Sequence, residues 1–245
     1  MIEVQNISKS FSANNMILND ISFKVDSGDT LAIVGQSGVG KSVLLKHING
    51  LLLPDKGKIL VDNSYINQLS FKKLQNIRKN MAMVFQFGAL FDSMTIFENI
   101  MIALNNLTNL SKLEKKERIE NSLKSVNLEN IENMYPEDIS GGMKKRVGIA
   151  RAIAISPKYI LYDEPTTGLD PINTDKMISL IKKIQKKDKV TSIIVTHEMR
   201  IVNELANKVV MLHMGKVIFD GSAKELNSSN DKYIKYFILG KNKGA

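Results

Sequence analysis

The sequence predicts an α/β fold with a mainly parallel sheet, and three observations carry that expectation. A short apolar run, Thr30-Leu31-Ala32-Ile33-Val34, enters a glycine-rich turn that a helix follows. Two more apolar runs, Tyr159-Ile160-Leu161-Tyr162 and Val190-Thr191-Ser192-Ile193-Ile194-Val195, read as buried parallel strands. Between them Met177, Leu180, Ile181 and Ile184 recur at helical spacing, with Lys182, Lys183, Lys186 and Lys187 on the other face. Alternation of this kind covers a sheet with helices.

The elements follow in order. Residues 1–80 read as strands and turns with one clear helix, residues 42–49, which Gly50 stops. Residues from 88 to 157 read as mostly helical, an insertion into the α/β core. There Ser111-Lys112-Leu113-Glu114 has capping-box spacing, and Ile119, Leu123 and Val126 follow at helical intervals. Val209-Val210-Met211-Leu212 and Lys216-Val217-Ile218-Phe219 flank a turn at Gly215 and predict a hairpin. Residues 222–245 carry no readable motif, and the tail from Lys241 to Ala245 is expected to fray.

Composition narrows the classes. A chain of 245 residues, 43% hydrophobic and 24% charged, is ordinary globular protein and not a disordered one. The absence of cysteine excludes disulfides, a thiol nucleophile and thiolate metal sites. No secretory signal is visible, and no apolar run approaches the roughly 18 residues of a membrane span. The net charge of +9 is compatible with nucleic acid, an anionic membrane surface, or nothing specific.

Gly35-Gln36-Ser37-Gly38-Val39-Gly40-Lys41-Ser42 fits G-x-x-x-x-G-K-[ST] between a strand and a helix. Its glycines let successive N–H groups converge on one anion, and the helix start adds its positive dipole end. Lys41 suits β- and γ-phosphates, and the Ser42 hydroxyl suits Mg²⁺. The loop implies a nucleoside triphosphate without naming the enzyme.

The strand ending at Tyr162-Asp163-Glu164 supplies two carboxylates. Asp163 suits the Mg²⁺ shell and Glu164 suits a base for the attacking water. A surface Asp-Glu pair before the Pro165 turn is the plainer alternative. His197 ends another apolar strand, where it suits contact with a γ-phosphate or support of Glu164; alone, a solvated histidine explains it as well. Ser140-Gly141-Gly142-Met143 opens a second anion-ready helix start, and one ATP does not need two of these from one subunit.

Together these residues resemble the ATP-binding-cassette (ABC) ATPases over nearly the whole chain. The phosphate loop is followed by a Q-loop at Phe85-Gln86, the Ser140–Met143 signature, Asp163-Glu164, a D-loop at Gly168-Leu169-Asp170, and His197. Phe11 stands where the family places an aromatic ring that stacks on adenine. The signature departs from the common pattern at Ile139 and Met143 and keeps its Ser-Gly-Gly.

The resemblance implies a P-loop fold of ABC type: a mainly parallel core, an N-terminal antiparallel β subdomain and an inserted helical subdomain. It implies one domain over 1–245, with the core at about 1–87 and 158–221, the helical subdomain at about 88–157 and an extension at 222–245. It implies ATP and Mg²⁺ as cofactors, with Gln86 sensing Mg²⁺ and water. It also implies a head-to-tail dimer with a second copy, and integral membrane permease subunits as partners.

The string Gly88-Ala89-Leu90-Phe91-Asp92-Ser93, with Met143-Lys144-Lys145-Arg146 downstream, resembles the Mla/MCE-type phospholipid transport ATPases. Some relatives of these carry ribonucleotide or toluene-tolerance transport labels. That branch implies the cytoplasmic face of a bacterial inner membrane and a periplasmic substrate-binding or MCE-domain protein reached through the permease. A polar amino-acid or other small-solute importer is the alternative, and an ABC ATPase acting on ribosome or DNA is a third. The basic residues are spread over several elements without an aromatic platform, so nucleic acid is not an expected partner. Lys144, Lys145, Arg146 and the lysines of residues 182–189 read as solvated faces.

Overall fold

The computed structural model describes residues 1–12 and 15–240, and of Lys187 and Asp188 the backbone only. The chain begins with β1 (Ile2–Ser12), β2 (Asn15–Val25) and β3 (Thr30–Val34), then α1 (Lys41–Ile48). β4 (Lys56–Val61), β5 (Ser64–Tyr65), α2 (Phe71–Arg78) and β6 (Met81–Val84) follow. Next come α3 (Ile96–Leu107), α4 (Lys112–Ser125) and α5 (Gly141–Ala154). The core resumes with β7 (Tyr159–Asp163), α6 (Pro171–Asp188), β8 (Thr191–Thr196), α7 (Met199–Leu205), β9 (Lys208–His213) and β10 (Lys216–Gly221). Helices α8 (Ala223–Asn227) and α9 (Lys232–Ile238) end the described chain.

The larger sheet has the order β10-β9-β3-β8-β7-β6, parallel except for β10, which closes the expected hairpin antiparallel to β9. Its central strands are apolar throughout because both faces are covered. Leu31, Ile33, Leu161 and Ile193 pack towards α1 and the smaller sheet. Ala32 and Val34 face α7, α8 and α9, and Ile160, Tyr162 and Ile194 face α5 and α6. The smaller sheet, β2-β1-β4-β5, is antiparallel.

Between β6 and β7 the segment is helical, as expected. The capping box at α4 is present: Ser111 N–H donates to Glu114 Oε2 at 2.7 Å and Glu114 N–H to Ser111 Oγ at 3.4 Å. Such a cap contributes about 1 kcal/mol. An equivalent box at Thr95 and Glu98 starts α3.

Several expectations are corrected. The first 80 residues contain a second helix, α2; its short stripe of Leu74 and Ile77 among lysines gives too little periodicity to stand out. The extension beyond residue 221, for which the sequence carried no motif and no expectation of packing, lies on its own chain, with Leu226 and Ile234 buried against Val34, Val202 and Met211. Lys145 is buried and Arg146 donates to the carbonyls of Val126 and Asn127, so this basic run is not a solvated face. Lys182, Lys183 and Lys186 are exposed as expected, whereas the Lys187 side chain and the expected fraying of residues 241–245 lie outside the described residues.

Candidate functional site: a phosphate-loop cleft

Parallel register brings the site together. Val34 pairs with Thr196 and Asp163 with Val195, so the strand ends before the phosphate loop, Glu164 and His197 share one edge of the sheet. Ligands of open α/β sheets bind at that edge. Phe11, Ile17, Ser37, Gly38, Gly40, Lys41, Ser42, Val43, Gln86, Glu164, Thr167 and His197 line a cleft of about 350 Å³ there. A larger cavity of about 790 Å³, bounded by Glu114, Glu117, Arg118 and Lys183, lies elsewhere and has no phosphate-type loop.

Gly40 cannot be another residue without strain. Its φ is +100°, and a Cβ there would meet Leu18 Cδ2 at 2.8 Å. Lys41 follows as the first residue of α1, one position earlier than the sequence suggests. It is 5% exposed, and its ammonium donates to the carbonyls of Gly35 at 2.8 Å and Gln36 at 3.0 Å. It also lies 3.5 Å from Glu164 Oε1. Burial pushes its pKa below the ordinary value, against the pull of Glu164. Val39 packs at the edge of the core beneath the loop.

Glu164 has a φ of +51°, a strained conformation for a residue with a side chain. Its backbone N–H donates to Val195 O at 3.0 Å, which holds the strand end in that shape. Its Oε2 accepts from the Thr167 hydroxyl at 3.0 Å and lies 2.8 Å from His197 Nδ1. Lys41, Thr167 and His197 therefore aim one carboxylate at the cleft. The sequence reading missed Thr167, since a threonine in a turn carries no signal of its own.

The Ser42 hydroxyl donates to Asp163 Oδ1 at 2.7 Å. Burial is the main cause that pushes the Asp163 carboxyl above its ordinary pKa, with Glu164 adding to the rise and the Ser42 bond opposing it. Among the described residues no cluster of three or more His, Cys, Asp or Glu could hold a metal alone. A hydroxyl, a carboxylate and the nearby Gln86 are hard oxygen donors. They fit Mg²⁺, which keeps water and phosphate among its ligands.

The raised Asp163 pKa has a stability consequence. A folded-state pKa above the unfolded one means that the charged form is destabilising. The cost is present at neutral pH and vanishes as pH falls through the folded value. Asp163→Asn is expected to raise the melting temperature of the nucleotide-free protein at pH 7.5, by about 2–4 °C for each 1 kcal/mol relieved. The gain should shrink towards pH 4. Thermal melts at both pH values check this, and an unchanged or lower melting temperature at pH 7.5 contradicts it.

The remaining candidates lie outside the cleft. Ser140 caps α5 by accepting from Met143 N–H at 3.3 Å, and Ser140 and Gly141 are exposed. Met143 packs at the edge of the helical core. Asp170 caps α6, accepting from Asn173 N–H at 3.0 Å, and is also exposed. None of Ser140, Gly141, Gly142, Met143 or Asp170 lines the cleft of this chain.

Sequence and structure comparisons give the family. The ABC transporter family profile matches residues 18–167. The chain is 36% identical to the intermembrane phospholipid transport system ATP-binding protein MlaF of Haemophilus influenzae, over 100% of this chain and 92% of that protein. It is 38% identical to the methionine import ATP-binding protein MetN of Carboxydothermus hydrogenoformans, over 90% of this chain and 66% of that protein.

Among solved structures, a dimeric post-hydrolysis state of the ATP-binding cassette MJ0796 with ADP and Pi superposes with a TM-score of 0.84. It is 31% identical and covers 91% of this chain and 99% of that one. The structure of cbiO1 from Clostridium perfringens, part of the ABC transporter complex cbiONQ, is another at 0.84 and 32% identity, covering 96% of this chain and 93% of that one. This chain belongs to the ABC transporter family, as an ATPase subunit that binds and hydrolyses ATP.

Proposed function

We propose that two copies of this chain close head to tail around two ATP molecules and energise phospholipid movement between membranes through separate permease subunits. The observation that carries the ATPase half is the convergence of Lys41, Ser42, Glu164 and His197 on one cleft. The phosphate loop, residues 35–42, cradles the phosphates with backbone N–H groups and Lys41. Phe11, 56% exposed at the cleft rim, stacks on the adenine. Ser42, Asp163 and Gln86 would hold Mg²⁺, which would supply charge neutralisation at the phosphates.

Glu164 takes the proton of the attacking water, and His197 holds Glu164 and the γ-phosphate in line. Ser140, Gly141, Gly142 and Met143 serve the ATP of the other copy. This accounts for an exposed N-cap that lies outside its own cleft. Asp170, in the D-loop beside it, belongs to the same interface. The dimeric state named for MJ0796 supports this arrangement.

Lipid as cargo is supported by the full-length match to MlaF and by the string at residues 88–93. The methionine import relatives keep an amino-acid importer as the second reading. Among the described residues no helix is long and apolar enough to cross a membrane; the names of the relatives as ATP-binding proteins of transport systems support a pathway on partner chains. Exposed Phe87 and Phe91 beside Gln86 suit contact with them, at the cytoplasmic face of an inner membrane.

Affinity purification in mild detergent tests the cargo. A permease arriving with an MCE-domain protein and bound phospholipid is the expected result. A permease arriving with a periplasmic amino-acid-binding protein overturns the lipid reading and leaves the ATPase reading intact.

A further inference from the structure

Helix α5 carries a lysine whose position the nucleotide site does not explain. Lys145 is 6% exposed, and its ammonium donates to Thr167 O at 2.8 Å and Pro165 O at 3.3 Å. Burying an ammonium is costly unless fixed acceptors replace its water. Here those acceptors are two carbonyls of the loop that leaves Glu164. Burial lowers the Lys145 pKa, while Glu198 and Glu164 pull it back up.

The same loop holds Glu164 directly. The Thr167 hydroxyl donates to Glu164 Oε2 at 3.0 Å, and that oxygen faces His197 Nδ1 at 2.8 Å. Thr166 donates to Glu198 Oε1 at 2.6 Å, and Leu169 N–H to Thr166 O at 3.0 Å, so the loop is tied by hydrogen bonds on both sides of Thr167. A continuous line of hydrogen bonds therefore runs from α5 through Lys145 and Thr167 to Glu164.

Ser140 is the N-cap of α5. Lys145 lies five positions further on, a rise of about 7.5 Å, so a push on the helix start is carried to the ammonium without a hinge. In the head-to-tail reading, on which this inference rests, Ser140 meets one ATP while Glu164 of the same chain serves the other.

We propose that Lys145 is a positioning residue that couples the two nucleotide sites, by tying the helix start that meets one ATP to the loop that sets Glu164 at the other. ATP engagement at Ser140 then biases Glu164 of the same chain towards its working geometry. The differential contact required for such a shift is the one Ser140 makes only in the closed dimer.

The test uses the full chain with MgATP, at protein concentrations that support dimer formation. The parent should hydrolyse ATP with a Hill coefficient above 1. Lys145→Met should bind a fluorescent ATP analogue with a Kd within about twofold of the parent, because the phosphate loop is untouched, while kcat falls by about tenfold to a hundredfold. Its Hill coefficient should fall towards 1. Lys145→Arg, which keeps the charge and donors, should recover much of both.

Thr167→Val cuts the same line further on. The double variant with Lys145→Met should be no slower than the worse single variant, because both remove one connection. If Lys145→Met does not fold, Lys145→Gln takes its place in the same series. The proposal is overturned by a kcat and Hill coefficient that stay within about twofold of the parent, by multiplicative losses in the double variant, or by kcat losses matched by equal losses of ATP affinity. A parent Hill coefficient of 1 would instead sink the two-site head-to-tail reading itself.

Discussion

Glu164→Gln is expected to lower ATP turnover by about 10²–10⁴-fold, the range general-base catalysis supplies, while leaving ATP binding intact. The substitution keeps the size of the side chain and an oxygen that can accept from the Thr167 hydroxyl, which now donates at 3.0 Å. It removes the negative charge facing Lys41 at 3.5 Å and the proton acceptor beside His197 at 2.8 Å. Nothing in the phosphate loop changes, so ATP is expected still to bind and, in the proposed head-to-tail arrangement, to close two copies on each other. Closed dimers should then persist, because hydrolysis is what reopens them. Steady-state phosphate release and size-exclusion chromatography with ATP report both effects. Near-normal phosphate release would remove Glu164 from the role of base.

Lys41→Met acts one step earlier, on binding. The ammonium is held against Gly35 O and Gln36 O at the floor of the cleft, where a triphosphate meets it out of bulk water. Loss of a charge-assisted contact of this kind costs about 3 kcal/mol, or roughly a hundredfold in Kd. Lys41→Arg is not expected to rescue it. The planar guanidinium presents a fork of donors and not the point charge that sits between Gly35 O and Gln36 O. Titration with a fluorescent ATP analogue, alongside circular dichroism to show a folded chain, measures the change. A Kd within about threefold of the parent would contradict a phosphate-contacting role for Lys41.

Much of this was legible before any coordinates. Strands β3, β7 and β8 were visible as apolar runs because both of their faces are covered, and α6 because only one of its faces is. The phosphate loop was visible because backbone geometry needs glycine at fixed positions, as the φ of +100° at Gly40 shows. The second helix start at Ser140 was legible for the same reason: an N-cap serine with glycines behind it is a local pattern. Helix α2 was not, being short and mostly polar on its visible faces.

Other features depended on residues far apart in sequence. Lys144, Lys145 and Arg146 look alike in the sequence, yet Lys145 alone of the three is buried. The helix phase turns it towards β7, and only the fold says that a loop with free carbonyls waits there. Arg151 is similar: it donates to Gly88 O and Ala89 O at 2.8 Å, and Gly88 itself sits so close to α5 that a Cβ would lie 2.7 Å from Lys144 O. The contact between the two segments is visible only in the fold.

By itself the sequence determined the family, the α/β class and the candidates for phosphate contact, because those depend on neighbours within a few positions of one another. The tertiary structure decided which side chains hold Glu164. His197 and Lys41 reach it only because parallel pairing places the ends of β3, β7 and β8 on one edge, and Thr167 closes on it within the turn that follows β7. It also decided that Lys145 belongs to this group and not to the surface, since the acceptors that make its burial tolerable lie on another segment of the chain.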